Sequence, residues 1–233
     1  MCGRFVRYEG MAIFIEELSP QTELFSGYDA QPIDRYNVAP STRVQVLHAA
    51  EDGLHIDAVK WEWAPFWAKG KRPDPINARV ETVTTAKFFK QLWPNGRALV
   101  PSEVWYEWVK DPDDPKRKQP YFIRLKSQKP MFFGALAQVH PGLALHDGDG
   151  FVVITAASDQ GMADIHDRKP LVLTPEHARE WIDPYLTPAR AEEIAKECCQ
   201  PVEDFEWYAV GKAVGRVKNQ GANLLLPVPP RDV

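Results

Sequence analysis

The chain has 233 residues, 44% of them hydrophobic, which is enough to bury a sizeable core, and a formal net charge of −4 that excludes a globally cationic nucleic-acid coat. No apolar run approaches the ~18 residues that span a bilayer and no charged-then-apolar leader opens the chain, so a soluble, cytoplasmic protein without membrane contact is expected. Three cysteines, two of them adjacent at Cys198 and Cys199, make neither a disulfide framework nor the paired spacing of a zinc site, which fits a reducing compartment.

No internal repeat, low-complexity tract or Gly/Ser linker divides the chain, so one domain is expected over 1–233. The 21 prolines are spread throughout and favour short strands and loops over long helices. In chain order, an amphipathic helix is expected over Met11–Leu18, then a loop through "GYDAQPIDRYNVAPST". Strands are expected at "RVQVLHA", "HIDAVKWEWA", "PINARVETV", "RALVPSEVWYEWV", "PYFIRL", "PMFFGALAQV" and "GFVVITAA", each rich in β-branched or aromatic residues between turn signals. Helices are expected at "TTAKFFKQLW", "TPEHAREWI" and "TPARAEEIAKECC"; the last two open with a threonine cap followed by proline at the first helical position. A closing pair of strands is read at "FEWYAV" and "NLLLPV". The order is strand-rich rather than a regular βαβα alternation. It predicts an α+β fold with a barrel-like or bifurcated mixed sheet surrounded by short helices.

Five segments carry chemistry. In "MCGRF", removal of Met1 would leave Cys2 with a free α-amine two carbons from its thiol, beside Arg4 and Arg7. In "PINARVET", Asn77, Arg79 and Glu81 fall at i, i+2 and i+4 of a strand and share a face. That face is either a solvated one carrying a cross-strand ion pair, or an amide aimed at a reactive centre with an arginine gripping a phosphate beside it. "VWYEWV" sets Glu107 in a very apolar stretch on the face of Trp105; such a carboxylate is paired, or has a raised pKa suited to general acid–base work, unless the face is solvated. "DIHDRKP" puts His166 in a loop, with Arg168 and Lys169 either serving phosphates or merely solvated. Finally, "WEWAPFWAKGKRP" interleaves aromatics with Lys69, Lys71 and Arg72, the flat faces and cations that a single-stranded nucleic-acid site needs. Trp61 or Trp63 is read as core and Trp67 as the stacking candidate.

Taken in order and at these separations, "MCGRF", "RYNVAPST", "WAPFW", "INARVET", "WYEW" and "IHDRKPLVL" resemble the SRAP family, the SOS response-associated peptidases that shield abasic sites. The match covers almost the whole chain. The resemblance implies that Cys2 is the nucleophile exposed after loss of Met1 and that Asn77, Glu107 and His166 complete the site. It further implies that Arg4, Arg79 and Arg168 contact DNA phosphates, that Trp67 lies near unstacked bases, and that lyase and self-processing peptidase activities accompany the fold. The chain has Glu62 where the family commonly has glycine and Lys169 where methionine is frequent, differences that bear on strand preference and loop shape.

The chemistry of an N-terminal cysteine supports that implication. An abasic site equilibrates with a ring-opened aldehyde; an unprotonated amine attacks it to give an imine, and a neighbouring thiol closes a thiazolidine. An α-amine of pKa ~7.7–8.0 is roughly a tenth or more neutral near pH 7, whereas a lysine at ~10.4 is almost wholly protonated. The thiol, ordinarily near ~8.5, is expected to be activated by nearby arginines or a protonated histidine. Asn77 would orient the amine or the sugar, Glu107 would shuttle protons and His166 would assist ring opening. The partner expected is single-stranded DNA with abasic sites, or a single-strand/double-strand junction, bound by a monomer that associates with the nucleoid, with no metal and no organic cofactor. Two other classes fit the same residues: an N-terminal-cysteine amidase or peptidase whose own amine acts as base, and a noncovalent single-strand-binding module.

Overall fold

The computed structural model describes residues 2–19, 29–71, 73–114, 116–140 and 146–229. Because β-branched and aromatic runs are cut short by proline and turn residues, the chain forms many short strands arranged in two sheets. The first, five-stranded and antiparallel, has the order β13-β8-β7-β1-β2, built from Phe205–Ala209, Lys118–Leu125, Val104–Lys110, Phe5–Arg7 and Arg35–Val38. The second has eight strands. Its members are β3 (Arg43–Ala50), β4 (Gly53–Trp61), β5 (Asn77–Arg79), β6 (Arg97–Ser102), β9 (Met131–Gln138), β10 (Gly150–Ala157), β11 (Arg168–Pro170) and β12 (Val172–Leu173).

Strand β10 explains the shape of the second sheet. Its first half runs between β4 and β9, with Phe151 opposite Trp61 and Ala137, while its second half runs between β5 and β11, with Thr155 opposite Arg79 and Pro170. The pairings β10–β4–β3–β6–β9–β10 return on themselves and make a ring-like sheet that forks at β10, as the strand-rich pattern predicts. Facing residues of the two sheets fill the space between them: Phe5 packs on Trp61 at 5.0 Å, Trp61 stacks on Phe151 at 6.1 Å, and Trp105 meets Phe133 edge-on. Cys2 belongs to this layer.

The other face of the ring is closed by α1 (Met11–Leu18), α2 (Pro175–Trp181) and α3 (Pro188–Glu197), whose buried Phe14, Trp181 and Ile194 share a cluster with Phe132 and Leu136. The bounds of α1 match the sequence reading. The two Thr-Pro starts do as well, since Thr174 and Thr187 each accept a hydrogen bond from the backbone N–H three residues on, both at 3.3 Å. No helix among the described residues is long and apolar enough to cross a membrane.

Five expectations need correction. The run "PINARVETV" is a strand only over Asn77–Arg79; the N–H groups of Thr82 and Val83 turn back to Arg79 O at 3.1 and 2.9 Å, so Glu81, read on the strand face of Asn77 and Arg79, lies in the turn beyond it. The run "RALVPSEVWYEWV" is not one strand: it breaks at Glu103, where β6 leaves the second sheet and β7 enters the first, with the Ser102 hydroxyl donating to Val6 O at 3.0 Å. The run "TTAKFFKQLW" forms linked turns instead of a regular helix, because Phe88, Leu92 and Trp93 all pack inward and Arg97 draws the carbonyls of Trp93 and Pro94 to its guanidinium. The run "NLLLPV" is a 3-10 turn over Ala222–Leu225 with one bridge, Val210 to Pro227, the prolines there removing ladder donors. The loop read through "GYDAQPIDRYNVAPST" contains β2, and its first two residues lie outside the described segments.

Candidate active site

Residues 2 to 6 carry the chain from one sheet to the other. The Asn77 side-chain amide on β5 donates to Cys2 O at 2.9 Å, Tyr106 N on β7 donates to Arg4 O at 3.0 Å, and Phe5 then pairs with Trp105. The amino terminus is thereby pinned at the seam between the sheets, and Cys2 is fully buried. Burial pushes its thiol well above the ordinary range and the negative charge of Glu107 adds to the effect. The expected activation by arginines is absent for a geometric reason. Arg7 turns into the core, where Nε and Nη2 donate to Pro101 O at 3.0 and 2.6 Å and Nη1 to Gln45 O at 2.8 Å, and burial pulls its pKa down to about 9. Arg4 is part-buried and donates from Nη1 to Asn37 Oδ1 at 2.9 Å and to Val214 O at 3.0 Å. Met1, whose removal the sequence reading requires, lies outside the described residues.

Alternation along β5 puts Asn77 and Arg79 on the accessible side and buries Ala78, as the spacing predicts. Asn77 Oδ1 is buried and has no hydrogen-bond partner among the described residues, so the amide that holds Cys2 with its nitrogen keeps an acceptor free at the seam. Glu107 lies on the face of Trp105, toward Cys2, and is 3% exposed. Burial pushes its carboxyl up to about 7, which leaves it able both to take and to give a proton near neutral pH.

His166 follows a 3-10 turn over Gln160–Asp164 and is half-buried. Its Nδ1 lies 2.9 Å from the Arg168 N–H and 2.8 Å from Asp167 Oδ1. The two contacts ask for opposite states of that nitrogen. The backbone donor is fixed, and burial lowers the ring's pKa, so the neutral ring with its proton on Nε2 is favoured and the exposed Asp167 gains a partner only on protonation. Arg168, assigned to a phosphate by the resemblance, is instead 8% exposed and bonded within the protein. Its Nη1 and Nη2 donate to the two oxygens of Glu81 at 2.6 and 3.0 Å, and Nη2 also to Thr155 O. The Arg168 guanidinium in turn holds the Glu81 carboxyl below its usual range. The pair ties the end of the His166 loop to the segment after β5. Arg79 is exposed and makes no side-chain hydrogen bond or ion pair among the described residues.

Trp61 and Trp63 are core, while Trp67 is 45% exposed in a 3-10 turn over Phe66–Ala68. Phe66, one of the aromatics of the interleaved run, is 94% exposed beside it. One neighbour had no signal in the sequence: Lys87, from the linked turns, sets its ammonium 5.1 Å from the Trp67 ring. Lys69 and Lys71 are exposed, and Arg72 lies outside the described residues. Glu62 pairs with Lys60 and Ser41, and Lys169 is buried with its ammonium 3.1 Å from Gln200 O. One group with metal-ligand chemistry occurs among the described residues, His140, His146 and Asp149, and it shares no residue with this site.

Comparison with known proteins agrees with this architecture. The model of the SOS response associated peptidase (SRAP) family matches residues 1–217. The chain is 45% identical to abasic site processing protein YedK of Escherichia coli (strain K12), over 98% of this chain and 100% of the relative. It is 32% identical to abasic site processing protein YoaM of Bacillus subtilis (strain 168), over 97% of both. A crystal structure of a phage-related protein from Bordetella bronchiseptica superposes with a TM-score of 0.75 at 35% identity, covering 90% of this chain and 94% of that one. The chain therefore belongs to the SOS response associated peptidase family.

Proposed function

We propose that this chain senses and shields abasic sites in single-stranded DNA by forming a covalent thiazolidine through the α-amine and thiol of Cys2. The relatives named as abasic site processing proteins support the lesion as the target. The observation that carries the chemistry is the seam itself: the Asn77 amide of one sheet on the Cys2 carbonyl at 2.9 Å, and from the other sheet a buried carboxyl of pKa about 7 whose charge acts on the Cys2 thiol.

After loss of Met1, the neutral amine attacks C1′ of the ring-opened deoxyribose and gives a carbinolamine. Glu107 in its protonated form gives the proton that carries water away from the carbinolamine, which leaves the N-protonated imine. Because burial keeps the thiol protonated, sulfur needs a base at hand, and the Glu107 carboxylate left by that step takes the thiol proton as sulfur adds to the imine carbon. One water is released overall, Glu107 ends protonated as it began, and no oxidant or reductant is needed. Asn77 Oδ1 accepts from the amine or a sugar hydroxyl, and neutral His166 opens the deoxyribose ring. Arg79, Arg4 and the exposed Trp67 hold the strand on either side, through phosphates and base faces. Arg168 acts through Glu81 as a positioning residue for His166.

Purified protein incubated with single-stranded DNA carrying an abasic site tests the reading on denaturing gels and by intact mass. A heat-stable adduct lighter by one water than the sum of its parts is expected. Peptide turnover without an adduct would replace it with an N-terminal-cysteine peptidase, and a shift seen only in native gels with a noncovalent binding module. A single strand, a recessed junction and a duplex, each carrying the lesion, rank the DNA forms.

A further inference from the structure

We propose that the loop of residues 211–220 is a second phosphate-binding arm, in which Lys212, Arg216 and Lys218 grip the nucleic-acid backbone on the side of Cys2 away from Arg79. The inference rests on single-stranded DNA as the ligand and adds a surface that neither the sequence motifs nor the site chemistry assigned.

Charge marks this loop out. In a chain of net charge −4, the stretch from 211 to 229 reads "GKAVGRVKNQGANLLLPVP" and holds these three cations and no Asp or Glu. All three are exposed, and none has an ion-pair partner among the described residues. Such a concentration of unpaired positive charge is held against its own repulsion, and a polyanion relieves it.

The loop is also built rather than draped. Asn37, 2% exposed, donates from Nδ2 to Val214 O and Arg216 O, both at 3.0 Å, and to Asn219 O at 3.2 Å, while its Oδ1 accepts from Arg4 Nη1 at 2.9 Å. Gln220 docks on the free edge of β2 as a strand would: its Oε1 accepts from Tyr36 N and Asn37 N at 2.9 and 3.1 Å, and its Nε2 donates to Asn37 O at 3.2 Å. Asn219 closes the loop on Ala213 O at 2.8 Å, and Val214 is buried under β1 and β7 with Val6, Val104 and Tyr106. The cations therefore ride on a rigid frame, so little ordering opposes binding.

Position completes the case. Arg4 bonds directly to Val214 O at 3.0 Å, so the arm meets the chain two residues from Cys2 and rests on the five-stranded sheet. Arg79 and Trp67 come from the opposite side of the seam, on or beside the eight-stranded sheet. A strand whose lesion sits at Cys2 thus meets cations in both directions.

The experiment compares the wild type, a Lys212→Ala/Arg216→Ala/Lys218→Ala variant and a control with the same charge change at the exposed start of β8 and the turn before it, Lys116→Ala/Arg117→Ala/Lys118→Ala. Binding to intact oligothymidylate is measured across salt concentrations, with melting curves to confirm folding. The slope of log K against log salt should fall by about 0.7 per lost contact, ~2 in the arm variant, and stay near wild type in the control. An unchanged slope in a folded arm variant overturns the arm, and so does an equal fall in both variants. If the arm variant misfolds, the single Lys212→Ala and Lys218→Ala changes must each lower the slope. Adduct formation on abasic DNA at saturating concentration keeps the two readings apart. A wild-type adduct with an unchanged slope sinks the arm alone. A lowered slope where the wild type forms no adduct leaves the arm standing and sinks the shield.

Discussion

Glu103 and Glu107 come from one short run of sequence, both are buried, and burial pushes both carboxyls up to about 7, yet they sit in different kinds of surroundings. Glu103 marks the crossing from β6 to β7. Its Oε1 accepts the Glu9 N–H at 2.8 Å, and it faces Arg7, whose three nitrogens each donate to a backbone carbonyl. It ties that crossing to β1, through its own N–H on Val6 O, and to the link between β1 and α1. Glu107 stands further along β7, where the face of that strand meets Cys2 and Asn77. A raised carboxyl pKa therefore does not by itself pick out a site in this protein. The neighbour does: a fixed peptide in one case, a nucleophile in the other.

The largest expected effect separates the two carboxyls directly. Glu107→Gln keeps the shape but relays no proton, so adduct formation should slow by about 10²–10⁴-fold while binding to undamaged DNA persists. Glu103→Gln should leave the rate within about twofold. Single-turnover gel kinetics at saturating DNA decide it, and equal losses in both variants would dissolve the distinction.

Stability should divide the pair the other way. Removing the Glu103 side chain leaves the Glu9 N–H without its acceptor and Arg7 without its counter-charge, so Glu103→Ala should cost about 1–3 kcal/mol by urea titration. Glu107→Gln removes a buried charge without orphaning a structural donor and should cost less than ~1 kcal/mol. The pH dependence carries a sign. Each carboxyl goes from 4.5 unfolded to about 7 folded, so between those values the native state holds more protons and stability falls as pH rises, levelling off above 7. Each group contributes roughly 3 kcal/mol to that fall. Either glutamine variant should flatten the decline by about half, and a wild type whose stability rises from pH 5 to 7 would contradict both shifts.

Sequence read some of this and missed the rest for physical reasons. Period-2 alternation located Asn77 and Arg79 on one face and Glu107 with Trp105, because alternation is local and survives tertiary packing. The break at Glu103 was invisible, since a strand that changes sheets keeps its hydrophobic pattern across the change. The thiol's raised pKa was missed because nearness of Arg7 in sequence says nothing of direction, and Arg7 points the other way. The partnership of Glu81 with Arg168 joins residues far apart in the chain, so charge type alone could not separate a phosphate ligand from an internal pair.

That last ambiguity gives the smallest effect and the finest test of the lesson from Glu103 and Glu107, that neighbours assign roles. Arg79 and Arg168 look alike in sequence, but Arg79 is exposed and unpartnered among the described residues while Arg168 is closed on Glu81 and Thr155. Arg79→Ala should lower the salt slope of single-strand binding by about 0.7 and leave melting within ~0.5 kcal/mol of wild type. Arg168→Ala should leave the slope alone. It should destabilise by about 1–3 kcal/mol and slow the adduct step, because the loop that presents His166 loses its tie to the segment after β5. Arg168→Lys should restore little, since a point charge cannot replace the two-pronged bond to Glu81. Glu81→Gln supplies the counter-test: as a tie it should slow the adduct as Arg168→Ala does, whereas if Glu81 merely holds Arg168 back from a phosphate, its removal should raise the slope and tighten binding.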